Sequence, residues 1–413
     1  MGPDRIECTA VSRHVAILGF LALAMMAPVT MPVPVLRELV AERFTVSELL
    51  TSLFMSVNMV GGLLAAPLAG MLIDRFGRHR AVLAGALLAD AACFVALTGA
   101  VPFEGFMAIR FVEGCAHITA LSVVLSLASQ ALAPEHRGRA MGVVGGCMML
   151  GIAIGAPLGG VLGRESAFVP LRAGALLLAI AAAVAALGVQ RQAARERRPG
   201  LTHILATLRA HPIILAPLLF AFTDRFTVGF FTTTFALYLR RIYEVPASTI
   251  GLAIAAFMIP FALLSYPFGR LAERRSPVAM LCVGSLLYGF GTVFVGFTAP
   301  PGLFVLMIAI GITAAVMFVP SMLMTVQVVP ESVRATALGA FNAFGSLGFI
   351  AGPAVGGAVS QLVADEFGWP AGYRAAFATA GASEFLCVAI ALPIFARMRR
   401  SRRPPGSGND ALA

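Results

Sequence analysis

The stretch "GMLIDRFGRHR" (residues 70–80) places a cluster of charge in a chain that is otherwise strongly apolar. Of the 413 residues, 59% are hydrophobic and only 12% are charged. Because a soluble protein carries roughly twice that share of charged residues, a set of water-soluble domains is excluded. The lipid bilayer is the expected solvent, and residues 70–80 are expected at a membrane face, between two spanning helices.

Apolar runs long enough to cross a bilayer, about 20 residues each, recur along almost the whole chain. We predict twelve spanning helices, near residues 15–36, 49–71, 81–101, 106–132, 140–163, 168–188, 213–237, 249–269, 277–298, 302–328, 335–362 and 373–396. The first run follows Arg13, and its length and the spans after it favour an uncleaved helix over a signal peptide. The predicted fold class is an all-α membrane protein with 12 transmembrane helices.

The distribution of arginine predicts the orientation of these helices. All 30 basic residues are arginine, and if the N-terminus is cytoplasmic, the two terminal segments and the even-numbered connections hold 21 of them. The opposite side holds seven. Because cytoplasmic loops are enriched in basic residues, both termini are predicted to be cytoplasmic. This topology also accounts for the net charge of +10 without nucleic acid as a partner.

The chain repeats itself at a separation of 197 residues. Five glycines of the fifth span recur in the eleventh: Gly142, Gly151, Gly155, Gly159 and Gly160 correspond to Gly339, Gly348, Gly352, Gly356 and Gly357. Near an offset of 199, "GMLIDR" from Gly70 has a degenerate counterpart in "GRLAER" from Gly269. The repeat predicts two pseudo-symmetric six-helix halves in the same orientation, an arrangement that suits rocking about a central cavity.

The halves give the predicted domain organisation. Residues 1–188 form the N-terminal half, residues 189–212 a cytoplasmic linker, residues 213–396 the C-terminal half and residues 397–413 a cytoplasmic tail. The linker is basic and polar, which keeps the second half in the same orientation as the first.

The opening stretch, in the predicted loop between the second and third spans, resembles the signature of the major facilitator superfamily. The span count, the linker and the repeat extend this resemblance to the whole chain. It implies a secondary transporter with a cytoplasmic gate, in which Asp74 accepts hydrogen bonds from the start of the eleventh helix and Gly70 allows close helix approach. The remaining predicted gate residues are Arg75, Gly77, Arg78 and, by the repeat, Glu273. A plain positive-inside loop is the alternative.

The glycine series resembles the antiporter motif of the same family. The fifth span reads "GAPLGG" (155–160), with Pro157 one place late, and the eleventh reads "GPAVGG" (352–357). Small residues at every fourth position let helices pack closely, and this packing need have no bearing on transport direction. The predicted packing residues are Gly151, Gly155, Pro157, Gly159, Gly160, Gly348, Gly352, Pro353, Gly356 and Gly357.

Three ionisable residues of the fourth span are predicted to share one face. Arg110, Glu113 and His117 follow the spacing i, i+3, i+7. "RFVEG" (110–114) resembles the family motif in which an arginine is associated with proton transfer, with Glu113 in the place of the usual glutamine. Charge inside the bilayer is costly. Arg110 and Glu113 together therefore indicate either a proton-dependent switch or a structural ion pair. His117 is expected to be a hydrogen-bonded packing residue or a proton carrier.

Four further charged residues lie near the middle of predicted spans. Asp224 of the seventh span is a second candidate for binding a proton or a cationic substrate, beside Arg225, which points about 100° away. Asp90 and Glu384 lie on helices that are usually peripheral in this fold, and we expect structural pairing for both. The stretch "FAFTDRFTVGFFTTTF" (220–235) could form an adaptable apolar pocket or face lipid.

These features predict a secondary transporter working by alternating access, a proton-coupled exporter of small amphiphilic or lipophilic compounds. Its partners would be the substrate, protons and the lipid bilayer, and the predicted state is a monomer in the inner membrane. A symporter for a sugar, organic acid or other metabolite is the alternative, with Arg110 and Arg225 binding an anion. A non-transporting receptor or scaffold is a third possibility. No motif of a catalytic site, cofactor or metal site occurs in the sequence, so an enzyme is not expected.

Overall fold

The computed structural model describes residues 3–76, 79–130, 137–189, 206, 209–210, 212–330 and 333–401. Within these residues, twelve helical segments are long and apolar enough to cross a membrane, which confirms the predicted number. The predicted linker and tail lie largely outside the described residues. The helices are α1 (Pro3–Thr30), α2 (Glu48–Phe76), α3 (His79–Ala96), α4 (Phe103–Gln130), α5 (Arg137–Leu162), α6 (Phe168–Gly188), α7a (Leu215–Thr232), α7b (Thr234–Ile242), α8 (Ala247–Arg274), α9 (Pro277–Val295), α10 (Pro300–Gln327), α11 (Arg334–Phe367) and α12 (Trp369–Ser401).

Local sequence accounts for several helix boundaries. Before α9, the hydroxyl of Ser276 accepts a hydrogen bond from the backbone of Ala279, as expected of an N-cap residue. Between α11 and α12, Gly368 has a φ of +82°, which favours a residue without a side chain, and the chain reverses there. The seventh span is broken at Thr233 (φ −133°, ψ −75°), whose hydroxyl donates to the carbonyl oxygen of Gly229 at 2.9 Å.

The helices pack with the predicted pseudo-symmetry. Helix α1 packs against α5 as α7a packs against α11, α2 against α4 as α8 against α10, and α3 against α6 as α9 against α12. The main contacts between the two halves are formed by α2 with α11 and by α5 with α8.

The repeated glycines make equivalent close contacts within each half. A Cβ at Gly151 would lie 2.6 Å from the carbonyl oxygen of Leu23 on α1, and one at Gly352 would lie 3.0 Å from the Cα of Gly229 on α7a. Gly155 and Gly159 likewise meet the backbone of α1, while Gly348 and Gly356 meet α7a and α7b. The glycines that repeat at an offset of 197 residues therefore form two copies of one helix-packing surface.

The two prolines of this motif face different neighbours. Pro353 lies against Gly229 of α7a, within its own half, where a Cβ on the glycine would meet the proline Cδ at 2.7 Å. Pro157 lies instead against Gly251 of α8, across the boundary between the halves, with a corresponding distance of 2.8 Å to its Cα. One residue rotates a side chain by about 100° around a helix, so the displaced proline of α5 points to the other half.

The halves meet at the membrane face that carries the connections after the odd-numbered spans, which we call the odd-loop face (residues 36–47, 97–102, 163–167, 243–246, 296–299 and 368). Near this face, a Cβ at Gly160 of α5 would lie 3.0 Å from the Cα of Ser248 on α8. On the other side of the pseudo-twofold axis, one at Gly357 of α11 would lie 2.8 Å from the Cβ of Ser52 on α2.

The opposite membrane face carries the connections after the even-numbered spans, and we call it the even-loop face. Towards it, the same sides of α5 and α11 border open space among the described residues. Gly142 and Gly339 precede Gly160 and Gly357 by 18 residues each, five full turns, so each pair lies on one face of its helix. Apart from the adjacent residues and backbone of the same helix, no atom of the described residues lies within 4 Å of a Cβ placed at Gly142 or at Gly339. Among the described residues, the two halves therefore pack closely at the odd-loop face, and neither Gly142 nor Gly339 makes such a contact towards the even-loop face.

Candidate functional site

Arg110 and Glu113 form a buried ion pair inside the N-terminal half. Nη1 of Arg110 donates to Oε2 of Glu113 at 2.7 Å, and both side chains are at most 1% exposed. The Arg110 guanidinium also lies over the ring of Phe54 at 4.4 Å, and its Nε donates to the Phe54 carbonyl oxygen at 3.4 Å. Helix α2 thus supplies an aromatic ring and a hydrogen-bond acceptor for the buried guanidinium.

Asn58 of α2 completes the environment of Glu113. Its side-chain amide donates a hydrogen bond to the Glu113 oxygen that also accepts from Arg110. The approach depends on Gly114, because a Cβ there would overlap the Asn58 backbone carbonyl oxygen. The glycine of "RFVEG" therefore lets α4 approach α2 closely enough for the carboxylate to be shared by two donors.

His117 and Asp90 continue the same face of α4 towards α3. Nδ1 of His117 lies 3.1 Å from Oδ2 of Asp90, and both residues are buried. The ligand atoms of Asp90, Glu113 and His117 all lie within 4.8 Å of one another. The structure therefore brings Arg110, Glu113 and His117 together along one face of α4, and Asp90 of α3 is a further partner there.

Donor chemistry favours protons over a metal ion in this N-half cluster (Asp90, Arg110, Glu113 and His117). Two carboxylates and an imidazole are potential ligands of a divalent cation. However, the Glu113 oxygen is already bound by the Arg110 guanidinium, whose positive charge repels a cation at this distance. The cluster can hold and transfer protons with small movements of its side chains.

Asp224 and Arg225 lie at the centre of the C-terminal half. Their side chains leave α7a in different directions, as predicted, yet Nη1 of Arg225 reaches to 3.7 Å from Oδ2 of Asp224. The Arg225 guanidinium lies 5.2–5.9 Å from the ring centroids of three phenylalanines of α10 and α11, namely Phe318, Phe341 and Phe349. Arg225 thus faces an aromatic environment, and its ion pair with Asp224 is too long for a hydrogen bond.

Glu384 of α12 lies in the interior of the same half, where polar side chains of two other helices contact it. It is fully buried, and its carboxyl accepts hydrogen bonds from Ser285 of α9 at 2.5 Å and from Thr227 of α7a at 3.1 Å. No ion pair of Glu384 occurs among the described residues. The partners of Glu384 in the described residues are therefore hydroxyl groups.

The aromatic stretch of the seventh span is directed into the protein. The fully buried members are Phe220, Phe230, Phe231 and Phe235. The ring of Phe231 stacks on Phe257 of α8 at a centroid distance of 5.2 Å. These rings pack inside the bundle rather than against lipid.

Five residues join the halves at the odd-loop face, and of these only the two arginines entered the sequence analysis, as charges that indicate topology. Nε of Arg240 lies 2.5 Å from Oε1 of Glu38, and Nε of Arg241 lies 3.1 Å from Oε1 of Glu48. The Tyr373 hydroxyl donates to Glu48 at 2.8 Å. We call these five residues the odd-loop lock. The sequence offered one signal for this group: two acids and two arginines lie at the ends of spans on one predicted side of the membrane.

The predicted cytoplasmic gate cannot be compared in the same way. Helix α2 extends through Gly70, Asp74 and Arg75, and α8 through Glu273, but the side chains of these residues lie outside the described part of the chain. Gly77 and Arg78 lie between the described ranges. The gate remains a prediction.

The fold and the buried charges define a class of protein. Twelve spanning helices in two pseudo-symmetric halves, with ionisable groups inside each half of the described structure, are features of a secondary membrane transporter. The sequence profile of the Major Facilitator Superfamily matches residues 18–238 and 217–412. The chain belongs to this family, as the motifs predicted, and is a multi-pass membrane transporter rather than an enzyme.

Known proteins of this family resemble the chain at low identity. Multidrug resistance protein 2 of Bacillus subtilis (strain 168) is 23% identical over 317 residues, which cover 73% of this chain and 78% of that protein. The 3-(3-hydroxy-phenyl)propionate transporter of Escherichia coli (strain K12) is 26% identical over 390 residues, 89% of each chain. A bacterial homologue of the human lysosomal transporter Spinster, solved in an inward-facing and unoccupied conformation, superimposes with a TM-score of 0.79 at 15% identity. The superposition covers 98% of this chain and 100% of that one.

Proposed function

We propose that the chain is a proton-coupled exporter of small amphiphilic or lipophilic compounds that works by alternating access in the inner membrane. The observation that carries the proposal is the N-half cluster, in which four ionisable side chains of two helices are buried in mutual contact. An ionised group inside the bilayer needs a partner, water or a proton, so movement of these helices changes how firmly the cluster holds its protons.

The geometry of the halves supports alternating access. With both termini cytoplasmic, the odd-loop lock closes the outer side and the open space near Gly142 and Gly339 faces the cytoplasm. Substrate would enter from the cytoplasmic side, and the lock would have to break before release outside. The similarity to a multidrug resistance protein supports the direction and the class of substrate.

Proteoliposomes with an imposed pH gradient test this function, with ethidium as a lipophilic cationic probe. We expect the gradient to drive ethidium transport by the purified protein. Glu113→Gln should abolish gradient-driven transport but retain exchange of ethidium for ethidium, because exchange needs no net proton movement. The matched control is Glu104→Gln, which removes an exposed carboxylate from the first turn of the same helix. Wild-type transport that ignores the pH gradient would contradict the proposal.

A symporter for an aromatic carboxylate is the second candidate, and the surroundings of Arg225 favour it. The guanidinium lies among three phenylalanine rings, and its Nη1 makes no hydrogen bond in the described structure. Arg110, the other predicted anion-binding residue, is enclosed by Glu113 and α2 and is fully buried. Binding of 3-phenylpropionate that is lost in Arg225→Gln would favour this candidate over the exporter.

A further inference from the structure

The two halves contain matching sets of buried charge with one difference. Among the described residues, the first half buries Asp90, Glu113 and Arg110, and the second buries Asp224 and Glu384 beside Arg225, whose side chain is 17% exposed. In the first half, the imidazole of His117 can supply the second positive charge beside Asp90. The second half has no such group, because the chain contains no histidine after His211 and no lysine.

The difference concerns Glu384, whose position is tightly specified. Its backbone packs directly against α9 at Gly289, where a Cβ would lie 2.9 Å from the Cβ of Glu384. Its two oxygens face the hydroxyl groups of Ser285 and Thr227. Two hydroxyl groups stabilise an ionised carboxylate in an apolar interior far less than a cation would. A hydroxyl can also accept a hydrogen bond, so the same pair can satisfy the O–H and the C=O of a neutral carboxylic acid.

Other titratable groups near Glu384 do not neutralise it. Asp224 on α7a adds negative charge, and Arg225 is directed to Asp224 and to the phenylalanine rings. Tyr288 on α9 is a neutral phenol with a buried hydroxyl. The neighbouring thiols are Cys387 on α12 and Cys282 on α9. Arg374 precedes Glu384 by ten residues, about 15 Å along the helix.

We propose that Glu384 is a second proton-binding site of the transporter: its carboxyl is protonated in the conformation described and releases its proton when α7a moves relative to α12. This inference rests on the proposed proton coupling and adds a site in the C-terminal half to the one in the N-half cluster. Release converts the carboxylic acid to a carboxylate and transfers the proton to water admitted by the movement.

Thr227 connects this site to the transport cycle. It lies on α7a one turn after Asp224, and α7a packs against α10, α11 and α12. When the second half tilts, a shift of α7a along α12 would remove the Thr227 hydrogen bond and open the carboxyl to water. The admitted water stabilises the ionised form relative to the neutral one, and this hydration must outweigh the loss of the Thr227 hydrogen bond, which itself favours the carboxylate.

Infrared difference spectra between the purified full-length wild-type protein and its variants test the proposal without a known substrate. A protonated carboxylic acid has a C=O stretching band separate from the bands of amides and carboxylates. We expect the wild-type protein at neutral pH to show such a band, and Glu384→Gln to remove one component of it. Glu366→Gln, which removes an exposed carboxylate of α11, should leave the band unchanged. A spectrum unaltered by Glu384→Gln would overturn the proposal.

Ser285→Ala provides an independent measurement if Glu384→Gln fails to fold. Loss of the Ser285 hydrogen bond should shift the frequency of the Glu384 component while the band persists. No shift in the folded Ser285→Ala protein would show that the band does not arise from Glu384, and would overturn the assignment.

Transport measurements separate this inference from the proposed function. If wild-type proteoliposomes move ethidium without dependence on the pH gradient, proton coupling itself fails. If the wild type is coupled and Glu384→Gln transports with unchanged gradient dependence, only the second proton site fails. The expected result is wild-type coupling, with loss of gradient-driven transport and retained ethidium exchange in Glu384→Gln.

Discussion

Arg240 donates to the carboxylate of Glu38 at a distance of 2.5 Å, although the two residues are 202 positions apart and belong to different halves of the transporter. This contact and the neighbouring pair of Glu48 with Arg241 close the odd-loop face. Opposite charges placed across the boundary stabilise the contact between the halves at this face, and the proposed alternating access requires the lock to break whenever this face opens.

The two ion pairs of the lock are expected to differ in strength. Glu38 and Arg240 remain 24% and 33% exposed, and such pairs contribute roughly 0.2–1 kcal/mol. Glu48 is 3% exposed and Arg241 is 25% exposed, so breaking this pair should cost more, with the value for a fully buried pair, about 3–5 kcal/mol, as its upper bound. Glu48→Gln should therefore open the odd-loop face far more often than Glu38→Gln. Spin labels at Glu165 and Ala299, in a variant without native cysteines, would report the opening as a longer distance.

Charge exchange within the lock checks that the effect is electrostatic. The double variant Glu38→Arg with Arg240→Glu should restore the short label distance that either single change lengthens. If both single variants keep the wild-type distance distribution, Glu38 and Arg240 do not hold the face closed.

The glycine at the end of α5 provides a steric test of the same closure. A Cβ at Gly160 would overlap the Ala247 carbonyl oxygen of α8, so Gly160→Ala should disfavour the closed odd-loop face by about 1–3 kcal/mol. Gly142→Ala lies on the same face of the same helix but has no neighbour within 4 Å among the described residues. The label distance should lengthen in Gly160→Ala and stay unchanged in Gly142→Ala. Equal behaviour of the two variants would refute the proposed convergence.

The buried pair of Arg110 and Glu113 predicts a non-additive effect on stability. Arg110→Met leaves the Glu113 carboxylate buried without its cation, which should destabilise the protein by about 3–5 kcal/mol. The double variant Arg110→Met with Glu113→Met removes both charges and should recover much of that loss. Thermal unfolding of the purified variants measures both effects, and additive losses would argue against direct coupling of the two groups.

Asp74 carries the prediction for the even-loop face. If Asp74 caps the start of α11 in the outward-open state, Asp74→Ala should slow ethidium transport while leaving ethidium binding unchanged. Glu42→Ala, which removes an exposed carboxylate at the odd-loop face, serves as the control for lost charge. Normal transport rates in Asp74→Ala would remove the gate assignment.

Much of the fold was predictable because it depends on patterns local to the chain. Apolar runs of bilayer length fixed the number of spans, since a membrane accepts only helices of that length. The spacing of Arg110, Glu113 and His117 placed them on one face, because helical periodicity alone sets that relationship. The offset of the glycines predicted a repeated packing surface, and both copies contact the expected kind of neighbour.

The partners of these residues depended on tertiary structure. Periodicity shows which face of a helix a side chain occupies, but the rotation and tilt of each helix decide what that face meets. For this reason Asn58 and Asp90 emerged as neighbours of Glu113 and His117 only in the folded bundle. Glu384 met hydroxyl groups instead of a cation for the same reason.

The sequence by itself determined the class of this protein, its span count and which charged residues lie inside the membrane, where each needs a partner, water or a proton. These follow from composition and from contacts close in the chain. Only the tertiary structure decided which membrane face is closed and which charges lie across the closure. Such contacts join residues hundreds of positions apart, and their formation depends on the relative position of two whole halves, which no local pattern specifies.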